Sequence, residues 1–218
     1  MTKTTGVGRP RASGAAASKR EARHAVLDAA GELFTGAGYA ATTTRAIAER
    51  AGLRQASLYY HFPSKEDILA ALLEDTVRPS LDVAGGLSAQ LAPVGARLWA
   101  LAYADIHLLG SARHNLGALY LLPEISSPRL GRFRAERAEL KRVYGSLVAA
   151  AGVPGDLVGI RTDLVFGLVE SIAIVRRDQP DLDVEAHAVE GADSVLRLAG
   201  IGEPDAGLRA SARMLLED

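Results

Sequence analysis

From Ser18 onward, apolar residues recur at helical rather than strand spacing. Ala22, Val26, Ala29, Ala30, Leu33, Phe34 and Ala37 fall three and four apart, which lines them along one face of a helix of about five turns. Ser18 and Glu21 form a capping box for its first turn, and Gly38 supplies a left-handed stop. Residues 1–17, rich in Gly, Ala, Ser, Thr and basic side chains, show no periodicity and read as a disordered basic arm. A second, shorter helix is signalled by Thr43 or Thr44 as N-cap, by Ile47, Ala48 and Ala51 on one face, and by Gly52 just past its end. Gly52, Leu53 and Arg54 separate it from a third helix starting at Gln55, in which Leu58 and Phe62 sit four apart and face inward. Pro63 halts that helix, because the residue before a proline avoids the helical region. Ser64 and Asp67 cap a fourth helix with Ile68, Leu69, Leu72, Leu73 and Val77 as its apolar stripe, ending near Pro79.

Beyond Pro79 the period stays helical. Breakers at Gly85-Gly86, Pro93, Pro123, Pro128, Gly152-Val153-Pro154, Pro180 and Pro204 delimit helices expected at 94–109, 112–121, 129–151, 155–177, 184–199 and 204–216. With no strand alternation and no internal repeat, the fold class expected is all-α, with about ten helices joined by short connections.

The chain has 218 residues, 48% of them hydrophobic, enough for a sizeable core. Its net charge of -1 hides an asymmetry. Residues 1–66 hold ten Lys and Arg against five Asp and Glu, and the rest hold fifteen against twenty-one. A basic front on an acidic body suggests a nucleic-acid-binding module joined to something else. The absence of cysteine excludes disulfides, thiolate zinc sites, iron-sulfur ligation and cysteine nucleophiles. Met1 to Arg11 lacks the apolar segment of a secretory signal, and the most apolar stretch, Leu164 to Val175, is interrupted by Glu170 and Ser171. The expectation is a cytoplasmic protein without a membrane partner. HExxH, GxSxG and P-loop patterns are missing, and His24, His61, His107, His114 and His187 lack metal-ligand spacing. No enzymatic activity, cofactor or metal is therefore expected.

Two short helices joined by a three-residue turn containing glycine have the layout of a helix-turn-helix, whose second helix lies in the DNA major groove. The outer side of the third helix carries Gln55, Ala56, Ser57, Tyr59 and Tyr60, with His61 and Lys65 at the far end. A glutamine amide both donates and accepts, which suits a base edge, and Ser57 can approach base or phosphate. Ala56 lets the backbone come close and can touch a thymine methyl. The tyrosine hydroxyls, His61 and Lys65 suit phosphates, as do the amides near Thr43 and Thr44. Arg45 can reach phosphate or guanine, and Arg54 adds a cation in the turn. Gly8-Arg9-Pro10-Arg11 is a stiffened basic segment suited to a narrow minor groove, or else a solvating tail.

Tyr39 to Leu69, reading YAATTTRAIAERAGLRQASLYYHFPSKEDIL, resembles the DNA-binding region of the TetR family of bacterial transcriptional regulators. The resemblance rests on the aromatic after Gly38, the threonines before the second helix, I-A-x-x-A-G across the turn, and L-Y-Y-H-F-x-S-K-E-x-L across the third and fourth helices, with Ile68 at the last position. It implies an all-helical homodimer that binds operator DNA through its N-terminal domains and a small-molecule inducer in its C-terminal domains. The domains would be 18–64 for DNA binding and 65–218 for ligand binding and dimerisation. It also implies phosphate or base contacts from Thr43, Thr44, Arg45, Gln55, Ala56, Ser57, Tyr59, Tyr60, His61 and Lys65. Glycine is common in the family where Ala56 stands, and serine where Arg54 stands, so operator preference does not carry over.

Candidate cavity-lining residues in the C-terminal region are Trp99, Tyr103, His107, Tyr120, Phe133, Tyr144, Phe166 and Glu170, each of which could instead be ordinary core. Trp99, Tyr103 and His107 are spaced by four and share a face. Glu170 is a lone acid in an apolar helix and needs a partner, solvent or a ligand cation. Leu164, Leu168, Ile172 and Val175 form one apolar stripe, and Ala188, Ala192, Val195 and Ala199 a second. The resemblance places a four-helix dimer interface on these two helices. The reading is a ligand-responsive dimeric regulator, a repressor of a near-palindromic operator. Its alternatives are an activator or effector-independent regulator of the same fold, or a helical ligand-sequestering or enzymatic protein with a vestigial DNA-binding end.

Overall fold

A computed structural model describes residues 12–217, with side chains from Ser18 to Glu217. The basic segment Gly8 to Arg11 lies outside them. Among the described residues all regular structure is helical. The chain divides between Ile68 and Leu69 into two compact units.

The first unit contains α1 (Ala12–Gly36), α2 (Thr44–Arg50) and α3 (Gln55–His61). α1 starts six residues ahead of the expected Ser18, because the alanine-rich run before it has the best intrinsic helix propensity and carries the helix backward. Ser18 thus lies inside α1 and does not open it. Thr43, not Thr44, caps α2, its hydroxyl accepting the Ala46 amide at 3.1 Å. Gly52 adopts φ +68°, a left-handed conformation that a side chain would strain by about 1 kcal/mol or more. It lets the Leu53 amide turn back to the Ala48 carbonyl at 2.9 Å. Leu58 and Phe62 are buried as expected, in a core with Val26, Ala30, Phe34, Ile47 and Ala48. Each large apolar side chain so buried contributes about 1.5–3 kcal/mol.

The fourth helix, α4 (Lys65–Ala89), opens on the expected capping box: Ser64 Oγ accepts the Asp67 amide at 3.2 Å and donates to its carboxylate at 2.6 Å. It does not end near Pro79, nor at Gly85-Gly86, but runs through them to Ala89. Pro79 removes one amide donor, a cost of about 3 kcal/mol in a helix interior. The buried face formed by Leu72, Leu73, Val77, Ala84 and Leu87 outweighs that single break.

The second unit continues with α5 (Val94–Ser111), α6 (Gly131–Ala150), α7 (Gly155–Glu170), α8 (Ile172–Asp178), α9 (Val184–Leu198) and α10 (Ala206–Met214). The helix expected at 112–121 is instead the first of three short 3-10 segments, Leu116–Leu121, Pro123–Ser126 and Pro128–Leu130. Prolines at the starts of the second and third allow no longer helix. The expected 155–177 helix breaks at Ser171, whose amide is shared between the carbonyls of Gly167 and Leu168 and whose hydroxyl donates to Leu168 at 2.6 Å.

α5 is the axis of this unit: Leu98, Trp99, Ala100, Leu101 and Ala102 are fully buried. α9 lies against it through Ala188, Ala192, Val195 and Leu196. Two arginines fasten α10, one of them by a fork. Arg209 binds both oxygens of Asp193 at 3.1 and 2.6 Å, and Asp193 also accepts the Trp99 indole at 2.7 Å. Arg213 binds Glu185 at 2.7 Å, and Glu185 accepts the Tyr103 hydroxyl at 2.6 Å. Among the described residues no helix is long and apolar enough to cross a membrane.

Candidate functional site

The outer side of α3 is open. Gln55, Ala56 and Ser57 are exposed, as are Tyr59 and Tyr60, the latter at 71%. The face is held by a polar seam to α2: the Tyr59 hydroxyl lies 3.0 Å from that of Thr44, toward which the Gln55 amide points at 3.5 Å. Thr44 therefore orients two neighbours on the face. Thr43, Arg45 and Arg54 are exposed beside it and His61 is half-buried. Arg45 pairs with Glu49 at 2.8 Å, but with both side chains in water the pair is weak and readily exchanged.

Lys19, absent from the expected contacts, joins this surface. Its ammonium reaches the Tyr60 hydroxyl at 3.4 Å and sits 4.9 Å from the ring centroid, at the mouth of a groove between α1 and α3. A basic residue one turn before the first apolar position of α1 was the available signal. Lys65 behaves differently from the expected phosphate grip. Its ammonium donates to the carbonyls of Tyr39 and Thr42 at 2.8 and 2.9 Å and lies 4.2 Å from the Tyr39 ring centroid. The carbonyls of the α1–α2 connection lie beyond any helix ladder and take the nearest cation, so Lys65 is a clamp on that connection.

In the second unit Trp99, Phe133, Tyr144 and Phe166 are buried core rather than cavity lining. Asp193 satisfies the Trp99 indole and Asp105 the Tyr144 hydroxyl, which lets both aromatics sit fully inside. Tyr103 and His107 do line a cleft of about 410 Å³, with Ser80 and Val83 of α4 opposite. Trp99, Tyr103 and His107 share one face as expected, with successive ring centroids 5.0 and 5.8 Å apart. Tyr120 and Glu170 line a smaller cavity of about 210 Å³. Glu170 has a partner: Arg137 forks onto it, one bond at 2.6 Å, with the guanidinium 5.0 Å from the Phe166 centroid.

Asp105 was missed. It is 3% exposed and accepts hydroxyls from Ser80 at 2.5 Å and Tyr144 at 3.0 Å. Burial pushes its carboxyl up to about 6, against the two hydrogen bonds, and the Glu170 charge adds to the rise. Its signal was a lone acid in the apolar run from Leu98 to Leu109.

The expected dimer stripes need correction. Ile172, Ala188, Ala192, Val195 and Ala199 are buried in this chain's own core, because the small residues of α9 serve its close approach to α5. Leu168 and Val175 are half-buried, whereas Leu164 is 53% exposed on α7, one turn from exposed Ile160. Among the described residues no three His, Cys, Asp or Glu side chains are grouped to hold a metal.

Residues 26–72 match the family described as bacterial regulatory proteins, tetR family. The HTH-type transcriptional repressor KstR2 of Rhodococcus jostii is 47% identical over 57 residues, 24% of this chain and 28% of the relative. The tetracycline repressor protein class C of Escherichia coli is 46% identical over 52 residues, 24% of each chain. The chain thus spans about a quarter of the length of these curated relatives. A crystal structure of Mycobacterium smegmatis AmtR matches far more, at 44% identity over 89% of this chain and 94% of that one, with a TM-score of 0.78.

Proposed function

The chain belongs to the tetR family of bacterial regulatory proteins, and from that premise we propose that it is a transcriptional repressor, released from a palindromic operator by a small molecule. Family members bind operator DNA and act as dimers. In this reading residues 18–64 bind DNA and 65–218 hold the effector and the dimer contact. The observation that carries it is the exposed face of α3, with Gln55, Ser57 and Tyr60 outward while Leu58 and Phe62 anchor it from behind. Thr43, Thr44, Arg45, Arg54, Ala56, Tyr59 and His61 complete the proposed contact set, and Lys19 extends it.

Two such faces, one per subunit, must meet successive major grooves about 34–36 Å apart, so a ligand that favours another spacing weakens binding. A 100-fold loss of operator affinity requires that preference to be about 2.7 kcal/mol. The apolar positions left exposed on α7, Ile160 and Leu164, support a dimer contact there.

The test is a gel-shift titration of the full chain against its own upstream DNA at several salt concentrations. Binding should be sequence-selective, and log affinity should fall by about 0.9 per log unit of salt for each phosphate neutralised. Gln55→Ala should weaken binding to the preferred sequence by about 1–3 kcal/mol and blur discrimination at one position. Equal affinity for unrelated duplexes would overturn the reading.

A further inference from the structure

The cleft between α4 and α5 has a chemical polarity that follows from where its hydroxyl protons go. A serine or tyrosine hydroxyl has one proton to give and lone pairs to receive with. At Ser80 the proton goes to Asp105 Oδ1 at 2.5 Å, and at Tyr103 it goes to Glu185 Oε2 at 2.6 Å. Toward a guest, both hydroxyls therefore have only acceptor capacity left. Among the described residues no Lys or Arg lines the cleft.

Behind Ser80 stands Asp105, held by two neutral hydroxyls and by no cation among the described residues. The charge felt there is that of Glu170, of the same sign, and Glu170 is already matched by Arg137. The interior of this unit thus holds one carboxylate without a counter-charge, an arrangement that is costly unless something positive approaches it. The remaining walls are Pro79, Val83, Ala104, Leu108 and Leu216 and the rings of Tyr103 and His107. The Tyr103 ring already receives one cation, the Arg213 guanidinium 5.1 Å from its centroid, as aromatic faces do.

We propose that this cleft binds a compact organic cation, an apolar body carrying a protonated amine that lies against the Ser80 and Tyr103 oxygens with Asp105 as its buried counter-charge. The proposal rests on reading the C-terminal unit as the effector domain, and it names the class of effector. A cleft of about 410 Å³ suits a molecule of roughly ten heavy atoms or somewhat more.

The probes are 2-phenylethylamine and hexylamine, each set against its alcohol, with phenylacetate as the anion, titrated calorimetrically into the full chain at pH 8. At least one amine should bind at least about tenfold tighter than the alcohol of the same skeleton, and phenylacetate should bind more weakly than either. Asp105→Asn should remove the preference for the amine while circular dichroism remains that of the parent. Ser80→Ala, which leaves the carboxylate in place, should reduce the preference without abolishing it. Alcohols or phenylacetate matching the amines, no amine binding at millimolar concentration, or an unchanged preference in Asp105→Asn would each overturn the proposal.

Gel shifts of the operator complex run with the same probes separate this inference from the reading beneath it. Amine binding that leaves the operator complex intact supports the cation site and counts against the effector reading. Release by phenylacetate and not by the amines overturns the cation site and leaves the effector reading standing.

Discussion

Asp105 is where burial and charge conflict most sharply. Its carboxyl sits at about 6 in the folded chain against an ordinary 3.8, so the native state holds a proton that the unfolded state has released. Its contribution to stability is therefore present at low pH and is lost as pH rises through about 6, amounting to about 3 kcal/mol at most. The groups facing it are Ser80 on α4, Tyr144 on α6 and Glu170 on α7. Urea denaturation at pH 4 and pH 8 should show the parent chain losing stability relative to Asp105→Asn as pH rises, and the variant should be the more stable at pH 8. A constant difference between the two would show that the carboxyl is not perturbed. Lys65 gives a second contrast. Lys65→Met removes two charge-assisted bonds to carbonyls and should cost about 2–4 kcal/mol of stability together with operator affinity. Tyr60→Ala should cost operator affinity alone, as thermal melting and gel shifts run side by side would reveal. The lysine's charge is legible along the chain but the Tyr39 and Thr42 carbonyls that claim it are not, because those acceptors are brought close by a loop without periodicity.

At the scale of elements, hydrophobic spacing located most helices, and capping chemistry narrowed the start of α2 to Thr43 or Thr44 and placed Ser64 at the start of α4. Errors arose where a local rule met a larger packing term. Pro79 read as an end, yet α4 continues past it. Pro79→Ala should restore the missing amide bond and raise stability by about 1–3 kcal/mol in a melting experiment. Glycine in α5 argues the other way. A methyl group on Gly110 would lie 2.5 Å from Val184 Cγ1, a short branched side chain with little room to turn. Gly110→Ala should thus destabilise by about 1–3 kcal/mol despite alanine's better helix propensity, and a gain in the midpoint of denaturation would contradict this packing. The need for glycine there comes from the start of α9, more than seventy residues away along the sequence, which no local pattern reveals.

For the molecule as a whole, the helix-turn-helix was legible because it is built from neighbours in sequence, with turn, caps and inward pair all within about twenty residues. The face proposed to meet a second copy was not, since periodicity shows that a helix buries a stripe without saying against what. α9 buries its stripe on α5, leaving Ile160 and Leu164 of α7 uncovered. Ile160→Glu combined with Leu164→Glu should convert a dimer to monomers in sedimentation velocity and weaken operator binding, with helicity retained. A double variant that still sediments as a dimer would move the contact elsewhere. The fastening of α10 has an optical corollary. Trp99 is the sole tryptophan of the chain, its indole nitrogen is tethered to the carboxylate that Arg209 grips, and Tyr103 lies flat against it. Detachment of the last helix, or disturbance of Tyr103 by a guest, would alter the surroundings of a single fluorophore. The protein carries its own emission probe at the spot where such events begin, and no dye need be attached to follow them.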